Sequence, residues 1–369
     1  MTFVDRSGAA SEPVEWWEPI VITRESIDAE IERLVSIPQP ADGRRRSLIV
    51  HPTAQAPGLG LAPGIQVALE VLLPGETTTV VRHSSTSVGF CIRGGGTATI
   101  GEKQLAFDQH DVWCTPSMAP CSYTNTTGEV QARLAYSNAP LLEKLGVHIV
   151  EVGAATSAST LPTEAPGPAE VSNEVHREEG DRPAEIDHLI DLDDGAQLLS
   201  YERLIDPPLI DSRPLHWPWP EVKARLDKLH ALGERYRGRR LYLMYNPSTG
   251  RTNGTTFSFF ATICLRPANI VDRPHRHAAA AINYFFSGAG NSLVGGKRFE
   301  WKAGDLMLTA PGWAIHRHAS HSDDVYELTI QDSPVHLAMD SLLWQEDLKR
   351  PARLLGTERG FATNRKDVG

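Results

Sequence analysis

Residues 273–320 read RPHRHAAAAINYFFSGAGNSLVGGKRFEWKAGDLMLTAPGWAIHRHAS. His275 and His277 stand two apart, and His316 and His318 repeat that spacing further on. On a strand the side chains at i and i+2 share a face, so each pair can turn both imidazoles toward one centre. Gly288, Gly290, Gly295, Gly296, Gly304 and the pair Pro311-Gly312 cut the span into short strands with tight turns. That is the pattern of a small antiparallel barrel.

Three of the four histidines suffice to close one face of a metal ion. Three neutral imidazoles without a thiolate suit Fe(II), Mn(II), Zn(II), Cu(II) or Ni(II), and spacing does not choose among them. A facial set of three leaves coordination positions open, whereas a structural zinc site closes with four protein ligands. Two H-x-H pairs flanking a Gly-Asp and a Pro-Gly turn speak for a site rather than for scattered core or surface histidines. Arg276 and Arg317 sit between the paired histidines and point to the opposite face. His321 reads as a surface residue, Asp305 as the residue that orders the Gly-Asp turn, and Trp313 as packing at the barrel mouth. Tyr284 and Phe285 alternate on one strand, so one faces the pocket and the other the core.

An earlier strand-rich region, Ser47 to about Val152, repeats the later one. LLPGETTTVVRH aligns with CLRPANIVDRPHRH, GGGTATIGEKQLAF with GAGNSLVGGKRFEW, and HDVWCTP with GDLMLTAP. His83 and His277, Gly96 and Gly290, Lys103 and Lys297, and Asp111 and Asp305 all differ by 194. A constant offset across glycines, a charge and a histidine indicates an internal duplication and two β-barrels. The copies differ where metal chemistry would sit: Val81 matches His275, His83 matches His277, and Cys121 matches His316 after one extra residue. The first barrel keeps one histidine of three and reads as a packed barrel without iron, with a His83/Cys121 remnant.

The 369 residues carry a net charge of −10 and no long basic run, which argues against nucleic acid as the main partner. No apolar run reaches the roughly 18 residues of a membrane span. The N-terminus has acidic residues and no signal-peptide core, and the four cysteines show no paired spacing, so a reducing cytoplasm is expected. Thr23 to Val35 reads as an amphipathic helix ended by Pro38. A second helix follows Pro220, with Val222, Leu226 and Leu229 on one face and Gly233 as its cap. Another helix is expected over His336 to Leu348. The expected organisation is an N-terminal arm and helix (1–46), a degenerate barrel (47–152), a linker and acidic segment (153–214), a metal-binding barrel (215–345) and a tail (346–369). Residues up to about 22 are expected to be irregular.

PHRH, FFSGAG and GDLMLTAPGWAIHRH resemble the two motifs of the cupin superfamily, whose double-stranded β-helix barrel binds metal through such histidines. Two in one chain make a bicupin, an all-β jelly-roll fold with a few peripheral helices. The closer resemblance is to the gentisate 1,2-dioxygenase group, which includes salicylate, 5-nitrosalicylate and 1-hydroxy-2-naphthoate dioxygenases. Arg239-Arg240 followed by NPSTG resembles that family's entry to its catalytic barrel. LHWPWPEVKARL resembles its Trp-bearing helix, and TAPGWAIHRHAS its TPGW…H-x-H segment. The likeness is specific from about Leu215 to Pro334 and loose elsewhere.

The resemblance implies an Fe(II)-dependent, extradiol-type dioxygenase. It would open the ring of a small hydroxybenzoate, with O2, between the carboxyl- and hydroxyl-bearing carbons. His275, His277 and His316 would hold the iron. His318 would be the catalytic histidine near substrate and O2, and Arg239 a substrate-binding arginine with a catalytic role. Asn283, Phe260, Cys264 and Trp313 would complete the substrate pocket, and the assembly would be a homo-oligomer, commonly a tetramer. The chain departs from the family's pattern in three ways. The intact histidine set lies in the C-terminal half, where the family's iron barrel is usually N-terminal. Asn283 stands where the family places an arginine. Cys264 and Phe260 stand where it often has Gln and Trp. Ala281 and Ile282 occupy the positions where many other cupins add a glutamate ligand. The alternatives are a non-catalytic metal- or ligand-binding bicupin and a quercetinase-like oxygenase.

Overall fold

Thr23 caps the first helix by accepting the Ser26 backbone N–H on its side chain, and Ile27, Ile31 and Leu34 bury one face of it. In the computed structural model, residues 3–8, 16–153, 189–205, 207–236 and 238–358 are described. The chain opens with β1 (Ile20–Ile22), α1 (Arg24–Ser36) and β2 (Arg45–Ile49). It continues through β3 (Gln66–Leu72), β4 (Val81–His83), β5 (Ser87–Arg93), β6 (Gly96–Ile100) and β7 (Lys103–Phe107). β8 (Val112–Thr115), β9 (Cys121–Thr124), β10 (Gln131–Ser137), α2 (Ala139–Lys144) and β11 (Val150–Val152) complete the first half. After β12 (Leu189–Asp191), β13 (Gln197–Leu199) and α3 (Tyr201–Ile205) come β14 (His216–Trp217), α4 (Trp219–His230) and β15 (Arg240–Leu243). The second half runs β16 (Phe260–Arg266), β17 (Arg276–His277), β18 (Ala281–Phe285), β19 (Ala289–Val294) and β20 (Lys297–Lys302). β21 (Leu306–Ala310), β22 (His316–Ser320), β23 (Val325–Gln331), α5 (Ser333–Ala338), β24 (Leu343–Gln345) and β25 (Arg353–Leu354) end it.

The two halves share one topology. In the first, a six-stranded sheet β14-β8-β5-β10-β3-β2 is joined by a five-stranded sheet β11-β4-β9-β6-β7. In the second, a six-stranded sheet β1-β21-β18-β23-β16-β15 is joined by the sheet β20-β19-β22, with β17-β24-β25 beside them. The strand order β8-β5-β10-β3-β2 recurs as β21-β18-β23-β16-β15, each strand displaced along the chain by about the repeat the sequence shows. Turn glycines recur too: Gly94 and Gly288 adopt φ of +70° and +69°, the left-handed region a side chain resists. One continuous core joins the barrels, from Val67, Leu69 and Phe90 in the first to Ile263, Ile282 and Leu308 in the second.

Each barrel borrows an edge from the other half. β1 precedes the first barrel but pairs with β21 of the second, and β14 precedes the second but pairs with β8 of the first. The helices that follow are anchored the same way. Asp305 Oδ1 accepts the Arg24 N–H at the start of α1, and Asp111 Oδ1 accepts the Trp219 N–H at the start of α4, both at 2.7 Å. Carboxylates there satisfy orphan helix donors and complement the helix dipole.

Several expectations change. Residues 20–22 form a strand. β2 begins at Arg45, inside the segment expected as an arm. α4 runs Trp219–His230 with Val222 and Leu226 buried, and Gly233 opens a separate 3-10 turn. The helix expected over His336 to Leu348 is instead the short α5, a turn with Asp340 at φ +49°, and β24. Much of the expected 153–214 linker, and the tail beyond 358, lie outside the described residues. Among the described residues of that segment, β12 and β13 make an antiparallel hairpin followed by α3. Among the described residues no helix is long and apolar enough to cross a membrane. The four cysteines are free and buried.

Candidate metal centre

β17 and β22 bring the histidines together. His275 and His316 face each other in an isolated bridge, each donating its backbone N–H to the other's carbonyl, at 3.0 and 2.9 Å. His277 lies two residues on, over the same centre. One ligand atom from each of His275, His277 and His316 lies within 4.8 Å of the others, and all three residues are buried.

Each ring is held by a backbone carbonyl at Nδ1. His275 Nδ1 meets Arg273 O at 3.1 Å, His277 Nδ1 meets Ala279 O at 2.8 Å, and His316 Nδ1 meets Ala314 O at 2.9 Å. A carbonyl only accepts, so each Nδ1 carries the proton and each Nε2 keeps its lone pair. This is how proteins orient imidazole ligands toward a metal. Burial, with His275 next to it, pushes the His277 pKa down to about 3. Burial and the two neighbouring histidines hold His316 well below its ordinary range, and burial with Arg239 lowers His275. The three rings are therefore neutral ligands at neutral pH, and the donor set fits a divalent cation of borderline softness.

The centre opens into a cavity of about 260 Å³. Arg239, His318 and Asn283 supply polar groups, and Leu241, Leu243 and Phe260 supply an apolar wall. His318 is buried, and its Nδ1 lies 2.8 Å from Ser292 Oγ, which also accepts the Trp301 indole N–H at 2.9 Å. Asn283 spans its neighbouring strands: it donates to Thr329 Oγ1 at 2.8 Å and accepts from Thr309 Oγ1 at 2.7 Å.

Arg239 stands at the edge of a buried ionic network. Arg266, wholly buried, contacts Asp272 and bonds Glu327 Oε1 at 2.9 Å. Arg239 lies 3.4 Å from Asp272 and 3.9 Å from Glu327. Burial opposes the charge on Asp272, but the two arginines outweigh it and hold its carboxyl below the usual range.

Two expected pocket residues lie elsewhere. Cys264 does not line the cavity; it is fully buried behind it, its thiol pushed up by burial and by Glu327. Trp313 stacks under the Arg276 guanidinium, 4.5 Å from ring centre to Cζ, away from the cavity wall. Neither Tyr284 nor Phe285 faces the cavity: Tyr284 packs against Phe90, and Phe285 stacks on Trp301. Asp305 orders its turn by accepting the Lys302 N–H, and His321 and Arg317 are exposed. Sequence reading missed Thr262, Thr329, Gln331 and Trp344 on the cavity wall. Trp344 stacks on His277 at 4.7 Å between centroids because β24 pairs with β17. An isolated tryptophan in LLWQE was the only sequence signal for it.

The overall architecture has a close counterpart among solved structures. A salicylate 1,2-dioxygenase from Pseudaminobacter salicylatoxidans superposes with a TM-score of 0.72 over 93% of both chains, at 15% identity. The fold is a bicupin. A family model described as an AraC-like ligand binding domain matches residues 263–359, from β16 of the second barrel onward. In sequence the bicupin is similar to a 5-aminosalicylate 1,2-dioxygenase of Comamonas sp., 25% identical over 73% of this chain and 66% of the relative. It is also similar to a 1-hydroxy-2-naphthoate 1,2-dioxygenase of Nocardioides sp. (strain KP7), 26% identical over 87% of this chain and 76% of the relative. The bicupin thus spans about two thirds to three quarters of the length of these relatives.

Proposed function

We propose that this bicupin is an Fe(II)-dependent dioxygenase that opens the ring of a salicylate-type hydroxybenzoate between its carboxyl- and hydroxyl-bearing carbons. The observation that carries the reading is the set of three Nδ1-anchored imidazoles whose free nitrogens converge beside a cavity that also holds Arg239 and His318. The similarity to ring-cleaving 1,2-dioxygenases supports it.

His275, His277 and His316 would hold the iron, which supplies Lewis-acid and redox chemistry to an ortho-hydroxy acid and O2 brought together on it. The chain's own groups do the rest. Arg239 offers charge-assisted hydrogen bonds to an oxyanion of the substrate. Asp272 and Glu327 fix the direction from which it does so. Asn283 brings a neutral amide where a second cation is absent, so charge neutralisation of the acid falls on the metal and Arg239. Leu241, Leu243 and Phe260 take the ring face and exclude water. His318 is held neutral by burial and by nearby Arg266, and its ring is positioned through Ser292 to pass a proton at Nε2. At about 260 Å³ the cavity lies at the small end for ligand sites, which favours a single-ring acid over a fused one.

The test is oxygen uptake by iron-loaded protein with gentisate, salicylate, 5-nitrosalicylate and 1-hydroxy-2-naphthoate. Uptake with one of the single-ring acids and a ring-opened product is expected. Stoichiometric iron with no uptake on any of the four refutes the reading.

A further inference from the structure

The first barrel lacks a three-histidine set but keeps a cavity, of about 360 Å³, larger than the one beside the histidines. Its wall preserves the layout of the second site in detail. Val81 pairs with Cys121 as His275 pairs with His316. His83 Nδ1 lies 2.8 Å from Ser85 O, as His277 Nδ1 does from Ala279 O, so His83 keeps the pose of a ligand without its two companions. Arg45 pairs with Val71 and Arg240 with Leu265, which places Arg44 and Arg239 at the same point, one residue before the outermost strand of each barrel.

The charge around the two arginines is not the same. Arg239 has Asp272 and Glu327 beside it. In the first barrel the buried acid on the equivalent sheet is Glu70, and Arg133 and Arg46 already engage it. The Arg44 guanidinium bonds Thr79 O at 3.1 Å and Cys121 O at 3.5 Å and meets the Cys121 thiol, and it reaches Glu70 only through space. Among the described residues no carboxylate lies within 4.0 Å of it, and Asp42 is occupied by the Arg44 backbone N–H. Nearby His83 is kept low by burial, His148, Arg46 and Arg44, and the cavity lining sets these groups beside Asp42, Glu70 and Glu143. Val81, Tyr123 and Ala135 add apolar surface to the same cavity.

We infer that the first barrel is a metal-free binding site for a small organic carboxylate with a compact apolar body, its carboxylate paired with Arg44. The half-buried guanidinium supplies the charge-assisted bonds, and the apolar wall takes the body of the acid. This inference stands on the duplicated architecture and does not depend on the reaction proposed for the other barrel.

The experiment is titration calorimetry of full-length, metal-loaded protein with benzoate, succinate and inorganic phosphate. Wild type is compared with Arg44→Gln, which retains amide donors for the two carbonyls, and with Arg239→Gln. Benzoate or succinate binding that survives Arg239→Gln and weakens at least tenfold in Arg44→Gln is expected. Preference for benzoate assigns ring acids, and preference for succinate assigns open-chain diacids. To separate loss of the ligand contact from altered packing at the strand start, Ala135→Phe provides a second variant that fills the same cavity and must abolish the same binding. Carboxylate affinity and stoichiometry unchanged in both variants, or binding of phosphate alone, overturns the inference.

Discussion

Replacing Glu327 by Gln probes the network behind the metal centre. The change is isosteric, so it opens no cavity and isolates the loss of one negative charge. Arg239 and Arg266 balance Asp272 and Glu327, and Arg266 and Glu327 are both fully buried. In Glu327→Gln the two guanidiniums share one carboxylate, and a full positive charge is left uncompensated out of water. Breaking a buried pair from one side costs about 3–5 kcal/mol. At roughly 2–4 °C per kcal/mol, the melting temperature should fall by about 6–20 °C. The double variant Arg266→Met/Glu327→Leu removes one charge of each sign and leaves Arg239 with Asp272. It should recover most of the loss, because an apolar pair of similar volume can replace a buried ion pair at little cost. Thermal unfolding of metal-loaded wild type, Arg266→Met, Glu327→Leu and the double variant supplies the cycle, with Glu327→Gln measured beside it. A Glu327→Gln protein within 1 °C of wild type, or a double variant whose loss equals the sum of the singles, would falsify the account of the network.

The metal assignment separates the four histidines. Alanine at His275, His277 or His316 should abolish bound iron as measured by elemental analysis, while His318→Ala keeps the iron and lowers kcat by about 10²–10⁴-fold, the range for a lost acid–base group. Arg239→Ala should leave iron content unchanged and weaken kcat/KM by about 10–150-fold, corresponding to a lost charged hydrogen bond of roughly 1.5–3 kcal/mol; unchanged steady-state kinetics would remove it from the substrate site. The pH dependence follows from His277. Unfolded, its pKa is about 6.5; folded, burial and His275 hold it at about 3, so the unfolded chain takes up the proton first. Metal-free protein should therefore be most stable above pH 6.5 and lose stability as the pH falls from there toward 3. That one group should cost about 2 kcal/mol by pH 5, read as a lower melting temperature at pH 5 than at 7.5.

How much was legible in the chain follows from the range of the signal. The histidine pairs were readable because the two-residue strand period fixes their common face, and the repeat because glycines at positive φ (Gly94, Gly288) or pressed against a neighbouring strand (Gly96, Gly290) and a turn aspartate tolerate little substitution. Thr329 and Gln331 were not, because they lie on an ordinary buried strand whose inward face is set by its partners β16 and β18. Trp344 was hidden in a segment with helical spacing, which Asp340 and the pairing with β17 break. Cys264 and Trp313 sit at positions the family's pattern makes plausible, but one lies deep behind the cavity and the other under Arg276. β1 and β14 are three and two residues long, too short to leave a periodic trace.

Those two strands carry a consequence for how such a chain closes its sheets. Each lends its hydrogen bonds to the half encoded on the far side of the molecule, while the helix that follows it begins on that half's aspartate and packs on its own half. A lone half would expose an open sheet edge at β21 or β8 and so would pair with a second copy of itself. Two copies trading their leading arms form a closed twofold dimer. In the present chain that exchange is internal to one polypeptide, so each half closes the other's sheet while carrying its own set of side chains on the shared frame.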